Sequence, residues 1–386
     1  MIIDCDANAT YSPDEDIQEF ISAHWGSLGN PSSLHRGGQR ARALLEEARS
    51  SVRALLGTSD RSQVVFTSGA TEANNTCIAF GAGRKGRLLS SQIEHPCVLE
   101  PLHCLTSQGR DVALVAPDSD GVVTPDALEA FLSPDTAFVS LMAANNEVGG
   151  INDIEEVVTR VRRRAPQALI HTDAAQLVGK AEVSFERFGV DLLTLSGHKL
   201  GALSGVGAIV VREGVLVAPL LRGGAQEGKI RGGTENVLGI ATLGAVAEAI
   251  RWDLAGRIEG MRRLRDEFEL LLLKALPDCV INASGRERLS NTSSVFVPGV
   301  RADDLVVALD LEGILISSGA ACSSGKPEPS HVLTAMGQDT EKVRSTVRVS
   351  FRAEYAPGAL ERVVESFIRV VARMRRITTE GRSRYD

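Results

Sequence analysis

The sequence predicts an α/β protein: a large domain built on a mainly parallel sheet flanked by helices, and a smaller α/β domain. Two observations predict it. Short apolar runs bounded by turn residues recur near residues 64–66, 87–90, 112–115, 137–142, 168–171, 191–195 and 208–211. Stretches with helical spacing separate most of them, as a parallel sheet covered on both faces requires. Polar residues suited to chemistry, Thr71, Asp173 and Lys199, fall just after three of these runs. Open α/β sheets place their sites there, at the carboxyl ends of strands.

Each element has a local reason. Ala41, Leu44, Leu45, Ala48, Val52, Leu55 and Leu56 repeat at helical spacing, and Gly57 closes that helix. Residues 64–67 then read as a strand, Gly69 as a tight turn and Ala70 as the start of a helix through Thr76, Cys77 and Ile78. Pro96 opens another helix. The 208–211 run follows the turn at Lys199 closely, which makes it a candidate antiparallel strand. Residues 236–276 read as one helical stretch interrupted near Gly256, leading to a second domain. That domain holds strand-like residues 293–297 and 314–317 and a final helix from about Ala359.

The segment Asp191-Leu-Leu-Thr-Leu-Ser-Gly-His-Lys199 ends an apolar run in a lysine. A lysine there is costly unless solvated, paired or covalently used. Leu169-Ile-His-Thr-Asp173 ends another apolar run in an acid. A Lys and an Asp at consecutive strand ends match pyridoxal phosphate (PLP), which needs an amine for its aldehyde and a carboxylate for its protonated ring nitrogen. A buried Lys–Asp ion pair or a solvated loop lysine explains these two segments equally well. Gln63-Val-Val-Phe-Thr-Ser-Gly69-Ala-Thr71 adds a strand, a turn and a helix start that suits a phosphate, with the Thr71 hydroxyl as a further donor. Alone it reads as an ordinary capped helix. Beside Lys199 and Asp173 it favours PLP.

Five segments together resemble the cysteine desulfurases of the class-V aminotransferase family, within the type I PLP-dependent transferase fold. They are Asn30-Pro-Ser-Ser-Leu-His35, Ser68-Gly-Ala-Thr-Glu72, Asn145-Asn-Glu-Val-Gly149, Ser196-Gly-His-Lys199 and Ser317-Ser-Gly-Ala-Ala-Cys322-Ser-Ser-Gly325. The last resembles the long-loop subgroup, that of the nitrogen-fixation and housekeeping iron–sulfur enzymes. The resemblance implies a large PLP-binding domain over residues 13–253. It implies a small domain of residues 1–12 and 254–386, which carries a cysteine loop at about 317–330.

The resemblance also implies roles. Lys199 holds PLP and moves protons, and Cys322 takes the sulfur of L-cysteine as a persulfide, leaving L-alanine. Asp173 supports the ring nitrogen, and His95 stacks on the ring or relays protons. Ala70, Thr71, Ser196 and His198 surround the phosphate. Gln176 and Asn146 approach the phenolic oxygen, with Asn146 also near substrate and Asn145 the weaker candidate. Thr234, in Gly232-Gly-Thr, reaches the phosphate of a partner in a homodimer. Arg348 suits the substrate carboxylate, because a planar guanidinium binds it bidentately. The chain departs from the family's pattern at Ala320, Ser323, Pro327 and after Phe351. The sulfur acceptor, an iron–sulfur scaffold or a tRNA, DNA or cofactor pathway, has no signature here. Selenocysteine lyase, aminotransferase or epimerase chemistry is the alternative, and a non-enzymatic scaffold has no need of Lys199 with Asp173.

Bulk properties narrow the classes. In 386 residues, 43% are hydrophobic and 24% charged, the balance of a globular protein with a large core. A net charge of -7 gives no footprint for direct nucleic-acid binding. The basic stretch at residues 369–384 reads as a solvated helix and tail. No leader pattern and no apolar run of about 18 residues is visible, so neither export nor membrane insertion is expected. Six irregularly placed cysteines fit reduced thiols and a cytoplasmic setting, where sequons at Asn8 and Asn291 carry no sugar. Gly81-Ala-Gly83-Arg-Lys-Gly86 matches a dinucleotide fingerprint, but helix precedes and strand follows, the reverse of what it needs. Gly223-Gly-Ala-Gln-Glu-Gly228-Lys229 fails as a P-loop at Ile230. His95, Cys97, His103 and Cys104 have no zinc spacing, so no metal is assigned.

Overall fold

The computed structural model describes residues 2–26, 29–319 and 329–382. Its strands in chain order are β1 (Ile3–Asp4), β2 (Gln63–Thr67), β3 (Arg87–Ser91), β4 (Val112–Val115), β5 (Thr136–Ser140) and β6 (Leu169–Asp173). They continue with β7 (Leu192–Ser196), β8 (Gly207–Val211), β9 (Val280–Ile281), β10 (Thr292–Phe296), β11 (Ile314–Leu315) and β12 (Thr346–Ser350). Among the described residues, β2 to β8 form one seven-stranded sheet in the order β2-β8-β7-β6-β5-β3-β4. Strand β8 runs antiparallel to both neighbours, and the other pairs are parallel. The short return from β7 leaves no room for a crossover helix, so the chain turns back as a hairpin-like pair.

Alternation along these strands builds two apolar layers. Val64, Phe66, Ile170, Leu193, Leu195, Ala208 and Val210 join one cluster, whereas Val65, Leu169, Leu192, Ile209 and Val211 join another on the opposite face. Helix Arg36–Leu56 buries the apolar positions read from the sequence except Leu44, and ends at Gly57 in the left-handed conformation, φ 57°. Helix Ala70–Ala82 precedes β3 directly, which leaves the glycine pattern at residues 81–86 on a helix end.

The rest of the chain forms a third apolar cluster. Ile3 and Cys5 pack there with Leu264, Phe268, Val347, Val349 and Phe367, among others. Strand β1 pairs with β11, and β10 lies between β12 and β9. The boundary with the main sheet is shared, since Ala283, Leu289, Val332 and Leu333 pack into the large cluster. One expectation is corrected. The break in the 236–276 stretch falls at Asp253, between helices Val237–Trp252 and Leu254–Ala275, and not near Gly256. The Asp253 carboxylate caps the second helix by accepting from the Gly256 N–H at 3.3 Å, so that glycine lies inside the first turn.

Candidate active site

The carboxyl ends of β2, β6 and β7 open into a cavity of about 670 Å³. Ala70, Thr71, His95, Asn146, Asp173, Gln176, Ser196, His198, Lys199 and Arg348 all line it. Sequence positions far apart are thus brought together by the parallel sheet. Thr234 is exposed and does not line the cavity of its own chain. Cys322, with Ala320, Ser323 and Pro327, lies outside the described residues.

Lys199 ends the 3-10 turn Gly197–Lys199 after β7. Its amine donates to the backbone carbonyls of Asn8 and Ala9, each at 2.7 Å. Burial, reinforced by Arg348, pushes its pKa down to about 8. Asp173 ends β6 and is nearly buried; burial raises its pKa, opposed by hydrogen bonds. Its Oδ1 accepts from the Ala175 N–H at 2.9 Å and its Oδ2 from the Asn74 amide at 2.6 Å.

Gly69 makes the turn from β2 into helix Ala70–Ala82 with φ 153° and ψ 177°, a conformation open to glycine. No side chain caps that helix at Gly69, and its first residues, Ala70 and Thr71, line the cavity. Gly207 permits β8 to pass behind, since a Cβ there would lie 2.7 Å from the Gly69 Cα.

His95 caps helix Pro96–Ser107 by accepting from the Cys97 N–H at Nδ1, 3.2 Å away. Only a ring unprotonated at Nδ1 can do this. Burial lowers its pKa, with Asp173 pulling the other way. The Cys97 thiol also lines the cavity, but burial holds it up at about 12, so it stays protonated. His198 contacts Thr10 Oγ1 at 3.1 Å and is lowered to about 4 by burial and Lys199.

Arg348 sits in the middle of β12 and is 5% exposed. It donates to Asp6 Oδ1 at 2.6 Å and to the Asn146 carbonyl at 3.1 Å. Its Nε is buried without a partner. Asn146 turns toward the cavity, whereas Asn145 is spent on the turn, accepting from the Glu147 and Val148 N–H groups.

The sequence reading missed four residues. Asn8, Asn74, Lys180 and Asp6 each bond directly to a site residue. Gln176 Nε2 donates to the Asn8 carbonyl at 3.0 Å, and its Oε1 accepts from Lys180. None of the four carried a local signal beyond being polar within or beside an apolar run.

The donor set fits PLP. An aldehyde-reactive amine, a buried carboxylate, an uncapped helix start and an orphaned guanidinium nitrogen surround one cavity. The chain matches the model of the family described as aminotransferase class-V over residues 5–361. A cysteine desulfurase of Nostoc sp. is 40% identical over 382 residues, covering 98% of this chain and 94% of the relative. A solved structure described as a NifS-like protein superposes with TM-score 0.89 at 33% identity, covering 96% of this chain and all of that one. Another, described as SspA in complex with cysteine, superposes with TM-score 0.79 at 30% identity over 91% of this chain and 99% of that one.

Proposed function

The chain belongs to the class-V aminotransferase family, and from that premise we propose how its residues divide the work of PLP-dependent cysteine desulfuration. It takes sulfur from L-cysteine, the reaction named for its cysteine desulfurase relatives, and passes it on to an acceptor. The observation that carries the assignment of roles is Lys199, lowered toward neutrality in the same cavity as buried Asp173 and the uncapped helix start. When bound, PLP supplies an aldehyde that captures the substrate amine and a ring that absorbs electrons from Cα.

Lys199 would hold the cofactor and, as a free amine, would take and return the Cα proton, for which a pKa of about 8 is suited. Asp173 would hold a negative charge for the cofactor's ring nitrogen. His95 would pack against the ring, and the first turn at Ala70 and Thr71, with Ser196 and His198, would hold the phosphate. Gln176 and Asn146 would serve the phenolic side. Arg348 binds the substrate carboxylate, using the Nε that has no other partner.

Cys322 thiolate then attacks the substrate sulfur. The Cβ–S bond breaks and an S–S bond forms. The electron pair stays on the carbon side and is protonated, giving alanine. Release of alanine from L-cysteine by PLP-loaded protein tests this reading, and no alanine above a Lys199→Ala control would overturn it.

A homodimer completes the proposal. Thr234 is exposed and away from its own cavity, so it can serve a phosphate only across an interface. Leu34, Leu216, Leu220 and Leu221 are exposed apolar side chains that association would cover. The division into residues 13–253 and residues 1–12 with 254–386 is part of the same reading, supported by the apolar cluster in which Ile3 and Cys5 pack with residues from Leu264 onward. No described helix is long and apolar enough to cross a membrane.

A further inference from the structure

Behind Asp173 lies a line of buried polar side chains that crosses three strands. Ser140 on β5, His171 on β6, Thr194 on β7 and Asn74 on helix Ala70–Ala82 have no exposed surface. Ser140 Oγ contacts His171 Nδ1 at 2.9 Å, and His171 Nε2 contacts Thr194 Oγ1 at 3.2 Å. Thr194 Oγ1 contacts Asn74 Oδ1 at 2.5 Å, and Asn74 Nδ2 contacts Asp173 Oδ2 at 2.6 Å. Phe138 stacks nearly parallel to the imidazole, at an interplanar angle of 10°, which fixes its plane.

Proton counting gives this line a direction. An ionised Asp173 can only accept, so Asn74 presents its NH2, whose other N–H meets the Cys97 sulfur at 3.1 Å. The Asn74 oxygen then faces Thr194, whose single hydroxyl proton is used on it. Thr194 must therefore accept from His171 Nε2–H. Burial without a carboxylate partner lowers the ring's pKa to about 3, so it is neutral and has no second N–H. Its Nδ1 accepts from Ser140. If Asp173 were protonated, every bond could reverse: the acid would donate to a flipped Asn74, and His171 would carry its proton on Nδ1. Both states satisfy the chain, but only the unflipped amide gives Asp173 Oδ2 a donor, beside the Ala175 N–H at its Oδ1.

We infer that Ser140, His171, Thr194 and Asn74 are positioning residues, a hydrogen-bond chain whose direction is coupled to the charge on Asp173 and which, when that carboxylate is ionised for the cofactor, turns an Asn74 N–H to it. The inference rests on the proposed role of Asp173. Its consequence is that the tautomer of His171, well removed from substrate, reports the charge on Asp173.

The experiment uses 15N-histidine-labelled, PLP-loaded protein, with the His171 signals assigned by their loss in His171→Gln. The wild type is expected to show the Nε2–H tautomer with an unprotonated Nδ1 at pH 7.5. Thr194→Val, which removes the hydroxyl at similar size, is expected to scramble the tautomer, shift the absorbance of bound PLP and lower turnover at saturating cysteine roughly tenfold. Thr194→Ser should restore all three. An Nδ1–H tautomer in the wild type, which needs no variant to fold, overturns the inference. So does a Thr194→Val enzyme matching Thr194→Ser in absorbance and turnover while Asp173→Asn is inactive. An active Asp173→Asn enzyme would instead remove the role of Asp173 itself, and the chain's purpose with it.

Discussion

Lys180 donates to the side-chain oxygen of Asn8 at 2.7 Å from a site with 1% exposure, joining the main sheet's end to the N-terminal segment. Asn8 also accepts from Asn291 at 3.0 Å and donates to Thr292 Oγ1 at 2.9 Å and to the Asn146 carbonyl. Its own carbonyl holds Lys199 and Gln176. One residue thus joins the N-terminal segment, through its side chain, to Lys180, Asn291 and Thr292 and, through its backbone carbonyl, to two residues of the active site. Asn8→Ala would leave the buried Lys180 amine with Gln176 and the Asn291 amide with the Phe351 carbonyl, each short of one acceptor. It is expected to destabilise PLP-free protein by about 3 kcal/mol in chemical denaturation. A loss below experimental error would show that the network relaxes without cost.

Lys180 itself makes a pH prediction. Burial, with Lys199 and Arg348 nearby, lowers its pKa well below 10.5, and no acidic group offsets this. The folded state therefore binds fewer protons than the unfolded chain. Stability from this group rises with pH from the lowered value up to 10.5. The slope of unfolding free energy between pH 7 and 9 should be smaller in Lys180→Met than in the wild type. Equal slopes would mean that Lys180 is charged in the fold.

Lys199 predicts the pH dependence of cofactor capture. The free amine attacks an aldehyde, and at a pKa of about 8 a useful fraction is free near neutrality. The rate of PLP uptake by cofactor-free protein, followed by absorbance, should rise with pH and reach half its limit near pH 8. A rise continuing unchanged to pH 10 would place Lys199 at its ordinary value. After borohydride reduction, mass spectrometry should find PLP on Lys199 and none on Lys180.

The fold and half of the site were legible because they are written locally. Alternation, helical spacing and the turn at Gly69 announce strands and a helix start, and Lys199 and Asp173 stand out as charges ending apolar runs. The close return to residues 208–211 even signalled the antiparallel strand. Asn8, Lys180, Asn74 and Asp6 were not legible. The partners of Asn8, Asn74 and Asp6 lie far along the chain, as Asn74 to Asp173 and Asn8 to Asn291 do, and Lys180, only four residues from Gln176, is a buried lysine for which there is no spacing rule. Asn8 had registered only as a sequon. The break at Asp253 was misplaced because glycine is the commoner interruption, whereas here an aspartate cap does the work of restarting the helix.

Arg348 predicts a split between binding and turnover. Its Nε is free, and two other contacts fix its plane against Asp6 and Asn146. Arg348→Lys keeps the charge but loses the planar fork. The KM for cysteine should rise roughly tenfold while kcat stays within about threefold. A fall in kcat at unchanged KM would move Arg348 from carboxylate binding to a purely structural pairing with Asp6.

The thiol assignments predict where sulfur travels. Burial holds Cys97 at about 12 and pushes Cys77 higher still, so neither supplies thiolate near neutral pH although Cys97 lines the cavity. Cys322 is the proposed nucleophile. Cys322→Ser should still bind cysteine, because Lys199, Asp173 and Arg348 are untouched, and should then stall, since a hydroxyl is a poor nucleophile toward sulfur. Alanine and persulfide should fall together. Mass spectrometry after brief exposure of the wild type to cysteine should find added sulfur on the Cys322 peptide and none on Cys97 or Cys104. An enzyme that eliminates sulfide from cysteine without the thiol gives pyruvate and ammonia in place of alanine, and predicts unchanged consumption of cysteine in Cys322→Ser. That result, or sulfur mapped to Cys97, would mean that substrate sulfur leaves by another route.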